Sequence, residues 1–261
     1  MKAFKVWDRQ SLWRAEVHET RMNFASPINN VATLTDFGRQ RLSDHFFMRD
    51  MLYSEVGNVH GIPNIPDNPE LALQVGREIA ARLLEPLKRA FGHVTIRSAY
   101  RSPRLNAFCN DWFNAGDTAC WCAGNDINAA RHIWDLPDGD GRIGGTVTLV
   151  IPAYLTHYER TGDYRPLAWW MRDHIADYAE MLFFRNLCAF NIRWYQGPSD
   201  KAIWFLDPPV RDLLVKEEPA GIYINYSAFY SEAIDPIWVG KPNAPASTIR
   251  ANSNTSSIGR D

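Results

Sequence analysis

Apolar positions recur at helical spacing between residues 68 and 92, the most regular stretch of the chain. Leu71, Val75, Ile79, Leu83 or Leu84, Leu87 and Phe91 form one stripe, the pattern of a helix with a single face on a core. Asn68 is placed to cap it, Pro69 fits its first turn and Glu70 suits the positive end of its dipole. Pro86 should kink this helix and Gly92 should end it. The period then changes. Val94, Ile96 and Ser98 alternate with Thr95, Arg97 and Ala99, which predicts a strand. Ser102-Pro103 closes it, because proline cannot donate to a ladder and biases its predecessor away from helix. Tyr100 and Arg101 therefore stand at a strand mouth, where a rigid scaffold presents side chains to a ligand. An arginine held there can grip a carboxylate with both prongs, although a surface ion pair is the plainer use.

Elsewhere the pattern is less regular. Residues 1–45 mix charge and aromatics without sustained periodicity and read as an N-terminal arm, with a short helix from Leu34 to Leu42. Asp44 to Val56 can carry a helix with Phe47 and Met51 on one face, and Gly61 to Asp67 reads as a rigid loop. After the strand, Pro103 to Cys109 suggests a helical turn, followed by a long loop rich in Asn, Gly, Asp and Cys. Gly145 to Ile151 is apolar and β-branched, a central strand. Pro166 opens a largely buried helix expected to reach about Leu187. Phe190 to Tyr195 and Ala202 to Leu206 read as strands joined in a hairpin at Gln196 to Asp200, and Gly221 to Tyr226 as another strand. The expected division is an arm over 1–45, a domain over 46–240 and a tail over 241–261. The tail, rich in Pro, Ala, Ser, Asn and Thr, cannot bury enough apolar surface to order itself alone. The arm carries Phe4, Trp7, Trp13, Phe24 and Phe37, more aromatic surface than a solvated segment keeps exposed. Both ends are thus expected to meet a protein partner or a second copy of the chain.

Composition narrows the classes. With 46% hydrophobic and 13% aromatic residues in 261, the chain can build a sizeable core. A net charge of −2 without a basic stripe gives no nucleic-acid footprint. No run of about eighteen apolar residues predicts a membrane span. The first residues lack the long apolar segment of a secretory signal, so a cytoplasmic protein is expected. The four cysteines are too few and scattered for a disulfide framework, and Cys120-Trp-Cys122 lacks the spacing of a zinc knuckle. Asp138-Gly-Asp-Gly-Arg-Ile143 matches only the middle of a calcium loop and reads better as a glycine-rich turn.

Ile96-Arg-Ser-Ala-Tyr-Arg-Ser102 resembles the strand motif S-G-Y-R-S of the zinc D-Ala-D-Ala carboxypeptidases and dipeptidases, a family whose fold is shared by the hedgehog signalling domain. Leu52-Tyr-Ser-Glu55, Asn64-Ile-Pro-Asp67, Thr161-Gly-Asp163 and Ala189-Phe-Asn-Ile-Arg-Trp194 are similar to segments of a bacterial branch of that family. The likeness covers roughly residues 45 to 206. It implies an α+β fold, a small and mainly antiparallel sheet with helices packed on it. It also implies a zinc site in which a histidine and an aspartate come from H-x-x-G-x-A-x-D, and a second histidine stands beside a catalytic glutamate.

Laid on this chain, His132 matches the first ligand. Seven residues on stands Gly139; with Asp135 to Arg142 taken as an insertion, Thr148 takes the aspartate position. Tyr195 takes the second histidine's place, and Gln196 stands where an acid is expected. Threonine and tyrosine are poor zinc ligands. The resemblance therefore implies a remnant pocket of Tyr100, Arg101, His132, Thr148 and Tyr195, with no catalytic residue and no cofactor. Asp138, Asp140, His157, His174 and Cys188 are other possible ligands, without a supporting motif. Three functions follow as expectations: a degenerate peptidase-like domain kept as a binding or structural subunit; an active zinc carboxypeptidase on peptidoglycan stem peptides; or a phage-type lysin or virion component.

Overall fold

The computed structural model describes residues 28–117 and 122–207, together with the backbone of a strand at 210–213. It is an α+β protein built on one six-stranded sheet. The strands are β1 (Thr95–Ser98), β2 (Gly144–Val150), β3 (Glu180–Phe184), β4 (Phe190–Tyr195), β5 (Ala202–Asp207) and β6 (Val210–Leu213), in the order β1-β2-β4-β3-β5-β6. Every neighbouring pair is antiparallel except β3 and β5. Among the described residues eight α-helices accompany it: α1 (Val31–Gly38), α2 (Glu55–His60), α3 (Pro69–Ile79), α4 (Glu85–Phe91), α5 (Pro103–Asn114), α6 (Asn125–Asn128), α7 (Pro152–Thr161) and α8 (Arg165–His174). Among the described residues no helix is long and apolar enough to cross a membrane.

The long helix of the sequence forms as its caps and stripe dictate. Asn68 accepts from the Leu71 amide at 3.1 Å, and Val75, Ile79, Leu83, Leu84 and Leu87 are fully buried. Just before Pro86 the helix widens locally: residues 80–84 form a π-turn between α3 and α4. Such a turn accommodates the carbonyl that proline leaves without a donor. Gly92, at φ +75°, ends the run.

Other elements differ from the expected ones. Where one helix was expected over Asp44 to Val56, the chain makes a 3₁₀ turn at Met48–Met51, an extended break and then α2. Asp50 accepts from the Phe47 amide and Ser54 caps α2, so local side-chain bonds divide the segment. The first short helix is α1, three residues earlier than expected, capped by Asn30. Ser102 caps α5, which runs on to Asn114 instead of stopping at Cys109. The helix expected from Pro166 to Leu187 ends at His174, and its second half is β3. β4 and β5 are not a hairpin: β3 lies between them and pairs parallel with β5. Gly221 to Tyr226 lies outside the described residues.

Residues 28–45 belong to the same core as the rest. Ile28, Phe37 and Leu42 are buried in it together with Met48, Met51 and the α3 stripe, so the segment expected as an arm is integral from Ile28 onward. Residues 1–27 and the tail at 241–261 lie outside the described residues. A buried carboxylate ties this region to the sheet-packing helices. Glu85 accepts from the Ser43 hydroxyl at 2.7 Å and the His45 amide at 3.0 Å, and meets the His45 ring at 2.9 Å. Burial works against ionising Glu85, yet the bonds from Ser43 and His45 outweigh it and hold the carboxyl below its ordinary value. Because the folded-state value is depressed, this stability is present above the unfolded carboxylate range and lost as pH falls through the folded value. Glu85→Gln should therefore cost about 1–3 kcal/mol at neutral pH. The gap from wild type should close as urea midpoints are taken from about pH 6 down to about pH 3.

Candidate functional site

The strand mouth is shaped by a bulge. β1 pairs Ile96 with Leu149 and Ser98 with Thr148, so Arg97 is an extra residue and the strand turns away from β2 after Ser98. The edge of β2 that β1 leaves is taken up by the loop 129–136: the Thr146 amide donates to Arg131 O at 2.8 Å, and Trp134 Nε1 donates to Thr146 O at 3.2 Å. Two glycines admit this loop. A Cβ at Gly144 would stand 2.7 Å from Ala130 O, and one at Gly145 2.9 Å from the Trp134 ring. The Arg101 amide then donates to His132 O at 2.8 Å. Arg101 and His132 are thus adjacent through backbone.

Each residue of the expected pocket has a definite place. Tyr100 does not line a surface: it is 1% exposed, packs edge-on to Trp134 and donates to Asp135 Oδ1 at 2.9 Å. Asp135 Oδ2 also accepts from the Asp67 and Asn68 amides. Burial raises the Asp135 carboxyl above its ordinary value, and burial together with that carboxylate raises the Tyr100 phenol. Arg101 is half-buried. Its Nη1 donates to Asn106 Oδ1 at 3.2 Å and to Cys122 Sγ at 2.8 Å. Asn106 Oδ1 accepts from Asn128 as well, and Asn106 Nδ2 donates to Asn125 and to Ala123 O.

His132 lies against Ala99 O, with Nδ1 at 3.3 Å; since a carbonyl only accepts, that nitrogen carries the proton. Burial, and then the Arg101 and Arg131 charges, push the ring down to about 3, so it is neutral at physiological pH. It can accept a proton or a hydrogen bond through Nε2 but cannot act as an acid there.

Thr148 and Tyr195 share one face of the sheet but not one place on it. Thr148 is opposite Asn191, and Tyr195 is opposite Gly144. Their backbones are separated by four residues along the strands, roughly 13 Å. The Thr148 hydroxyl donates to Asn191 Oδ1 at 2.7 Å. The Tyr195 hydroxyl donates to Asp138 Oδ2 at 2.5 Å, and the Arg193 guanidinium lies over the ring at 4.2 Å. Arg193 Nε donates to Ala130 O, and Arg131 pairs with Glu180 at 2.7 Å on the same face. Burial, then Arg131, lowers Arg193 to about 10, still a cation at neutral pH. The Asp138–Arg142 segment closes on itself: Asp138 Oδ1 accepts from the Asp140 and Arg142 amides. That is the glycine-rich turn expected of it.

An imidazole, an aliphatic hydroxyl and a phenol, the last two on residues whose backbones lie roughly 13 Å apart and each bonded to a neighbour, do not fit a zinc ion whose ligands all lie within about 2.3 Å of it. Among the described residues no three His, Cys, Asp or Glu side chains are grouped to hold a metal. His174 Nδ1 meets Trp170 O and its ring stacks on Trp170, while Cys188 is buried.

The residues that organise the mouth include several that the strand pattern does not single out. Asn64 donates to Leu52 O and Tyr100 O and accepts from the Ser102 amide at 2.7 Å. It also stands on the wall of an open groove of about 710 Å³ between α1, α2 and the 61–65 loop. Its place inside Asn64-Ile-Pro-Asp67 was the available signal.

Against known proteins, the chain matches no family model, no curated protein and no solved structure.

Proposed function

We propose that this chain is a degenerate D-Ala-D-Ala-peptidase-like domain that serves as a non-catalytic binding or structural subunit. One observation carries the reading: the positions aligned with the second and third zinc ligands are hydroxyl side chains, each engaged by a neighbour, Thr148 with Asn191 and Tyr195 with Asp138. What remains around them suits recognition better than bond cleavage. Arg101, Arg131 and Arg193 supply cations, and the neutral His132 offers an acceptor. Such a surface can hold a polar or anionic group of a partner without activating water.

A second reading rests on His132 itself. An imidazole that donates from Nδ1 to a backbone carbonyl is oriented as metal-binding histidines are, which keeps an active zinc carboxypeptidase with another ligand set in play. Elemental analysis and a hydrolysis assay separate the two. The purified full chain should hold far less than one zinc per molecule. With zinc added, it should release no D-alanine from peptides ending in D-Ala-D-Ala. One tightly held zinc per chain, lost together with such activity on chelation, would replace the first reading by the second.

A further inference from the structure

Cys109 and Cys122 form a small buried cluster of their own, apart from the main core, with Val56 packed over them. Cys122 anchors the Arg101 side chain, but neither the fold nor the proposed binding role uses the reactivity of these thiols. Their juxtaposition is built by the asparagines of α5. Residues 106, 109 and 110 share one face of that helix, as positions three and four apart must. Asn106 Nδ2 donates to Ala123 O at 3.0 Å, and Asn110 Nδ2 donates to Cys122 O at 2.8 Å. These bonds lay residues 122–123 along the α5 face on which Cys109 stands.

Cys122 has different surroundings from the third buried thiol. Cys122 Sγ accepts from Arg101 Nη1 at 2.8 Å and from Asn128 Nδ2 at 3.6 Å, and as a thiol donates to Asn106 Oδ1 at 2.9 Å and to Ala123 O at 3.3 Å. The guanidinium favours negative charge on sulfur, the form in which a thiol attacks a disulfide, while the two oxygens favour the resting thiol. Cys188 is buried in the main core, where desolvation and then Asp163 push its thiol well up. That sulfur should stay inert.

We propose that Cys109 and Cys122 are a redox-sensitive pair that a low-molecular-weight disulfide such as oxidised glutathione converts to an intramolecular disulfide. The Cys122 thiolate attacks one glutathione sulfur and expels a glutathione thiolate, leaving a mixed disulfide. The Cys109 thiolate then attacks Cys122 Sγ and expels the second glutathione. Two electrons pass from the protein thiols to glutathione, the two thiol protons end on the two released glutathiones, and one S–S bond replaces another. Because Arg101 donates to that same Cys122 sulfur, the exchange acts on the group that anchors the arginine at the strand mouth. The proposal is independent of the zinc question.

The test uses the folded full chain with oxidised glutathione, followed by alkylation under denaturing conditions and peptide mapping. Wild type should lose two of its four alkylatable thiols, and the linked peptides should pair Cys109 with Cys122. Reduction by dithiothreitol should restore all four. Cys120→Ser should behave as wild type, whereas Cys109→Ser should stop at the glutathione adduct on Cys122. The oxidised wild type should also melt several degrees higher than the reduced protein, since the bond closes a loop in the unfolded chain. Four intact thiols, a link through Cys120, or a glutathione adduct that never resolves in wild type would each overturn the proposal. The peptide map of wild type decides the matter even if a variant fails to fold.

Discussion

Asp135→Ala should lower the unfolding free energy by about 2–4 kcal/mol, because it leaves the buried Tyr100 hydroxyl and two part-buried amides without their acceptor. Asp135 is 8% exposed, and its two oxygens take the Tyr100 hydroxyl and the amides of Asp67 and Asn68. Those amides sit at the start of α3, so one carboxylate ties that helix to the strand mouth. Asp135→Asn should cost only about 1 kcal/mol. Its oxygen can still serve both amides, and its nitrogen can donate to the Tyr100 oxygen. Tyr100→Phe removes a single donor and should fall in the same range. The pH dependence separates the charge from the shape. Burial raises the Asp135 carboxyl, so the folded state keeps its proton to higher pH than the unfolded chain. Wild type should then lose stability relative to Asp135→Asn as pH rises above the unfolded carboxylate range, with the contribution of Glu85 common to both proteins. Urea midpoints of the four proteins between pH 4 and pH 8 check both statements. An Asp135→Ala protein as stable as wild type would mean that the network is not formed.

The elements legible in the sequence are those whose signals are local. The helix from Asn68 to Phe91 has a cap, an apolar stripe and a stop, all within its own residues. β1 and β2 show in alternation and in a β-branched run. The second half of the stretch expected as one helix from Pro166 forms a strand instead because Met181 to Phe184 is unbroken apolar sequence, which alone cannot tell strand from helix, although only alternate residues of β3 are fully buried. Tyr178, Ala179, Met181 and Phe183 are all buried, and neither Gly nor Pro marks the change at Ile175. The expected hairpin at Gln196 to Asp200 has suitable turn residues, but pairing is decided elsewhere: β3 takes the place between β4 and β5. Local turn chemistry cannot report such a competition.

The site was legible in part for the same reason. Proline at 103 and the alternation before it put Arg101 at a strand mouth, and the structure sets it there, bonded through its amide to His132. What the residues around it do depends on partners distant in sequence. Asn64 reaches Tyr100 O across 36 positions, Asp135 reaches Tyr100 across 35 and the Asp67 amide across 68. Tyr100 looked like a pocket residue because it neighbours the arginine; alternation around the bulge turns it into the core instead. Likewise Thr148 and Tyr195 were related by motif spacing, which carries no distance. Strand register does, and it sets them four residues apart.

The same register makes Gly144→Ala the most damaging single methyl in this region. Its Cβ would lie 2.7 Å from Ala130 O and 2.9 Å from Trp194 O, both backbone atoms that no rotamer change can move aside. The neighbouring Gly145 is filled against side-chain atoms, Ile79 Cδ1 and Val75 Cγ1, which can shift slightly. At Gly144 the loop carrying Ala130, Arg131 and His132 must itself move off β2, stretching the Thr146-to-Arg131 and Arg193-to-Ala130 bonds. A cost of about 3 kcal/mol or more is expected, at the upper end for overpacking. Gly139→Ala is the control, since that position has open space and an ordinary φ, and it should change stability by less than about 0.5 kcal/mol. Hydrogen exchange should report the location as well as the size. In Gly144→Ala the amides of Thr146 and Arg101, which donate to Arg131 O and His132 O, should lose protection, while amides within α3 exchange only through global unfolding. If the two glycine variants prove equally stable, the 129–136 loop does not lie on β2, and the adjacency of Arg101 and His132 fails with it.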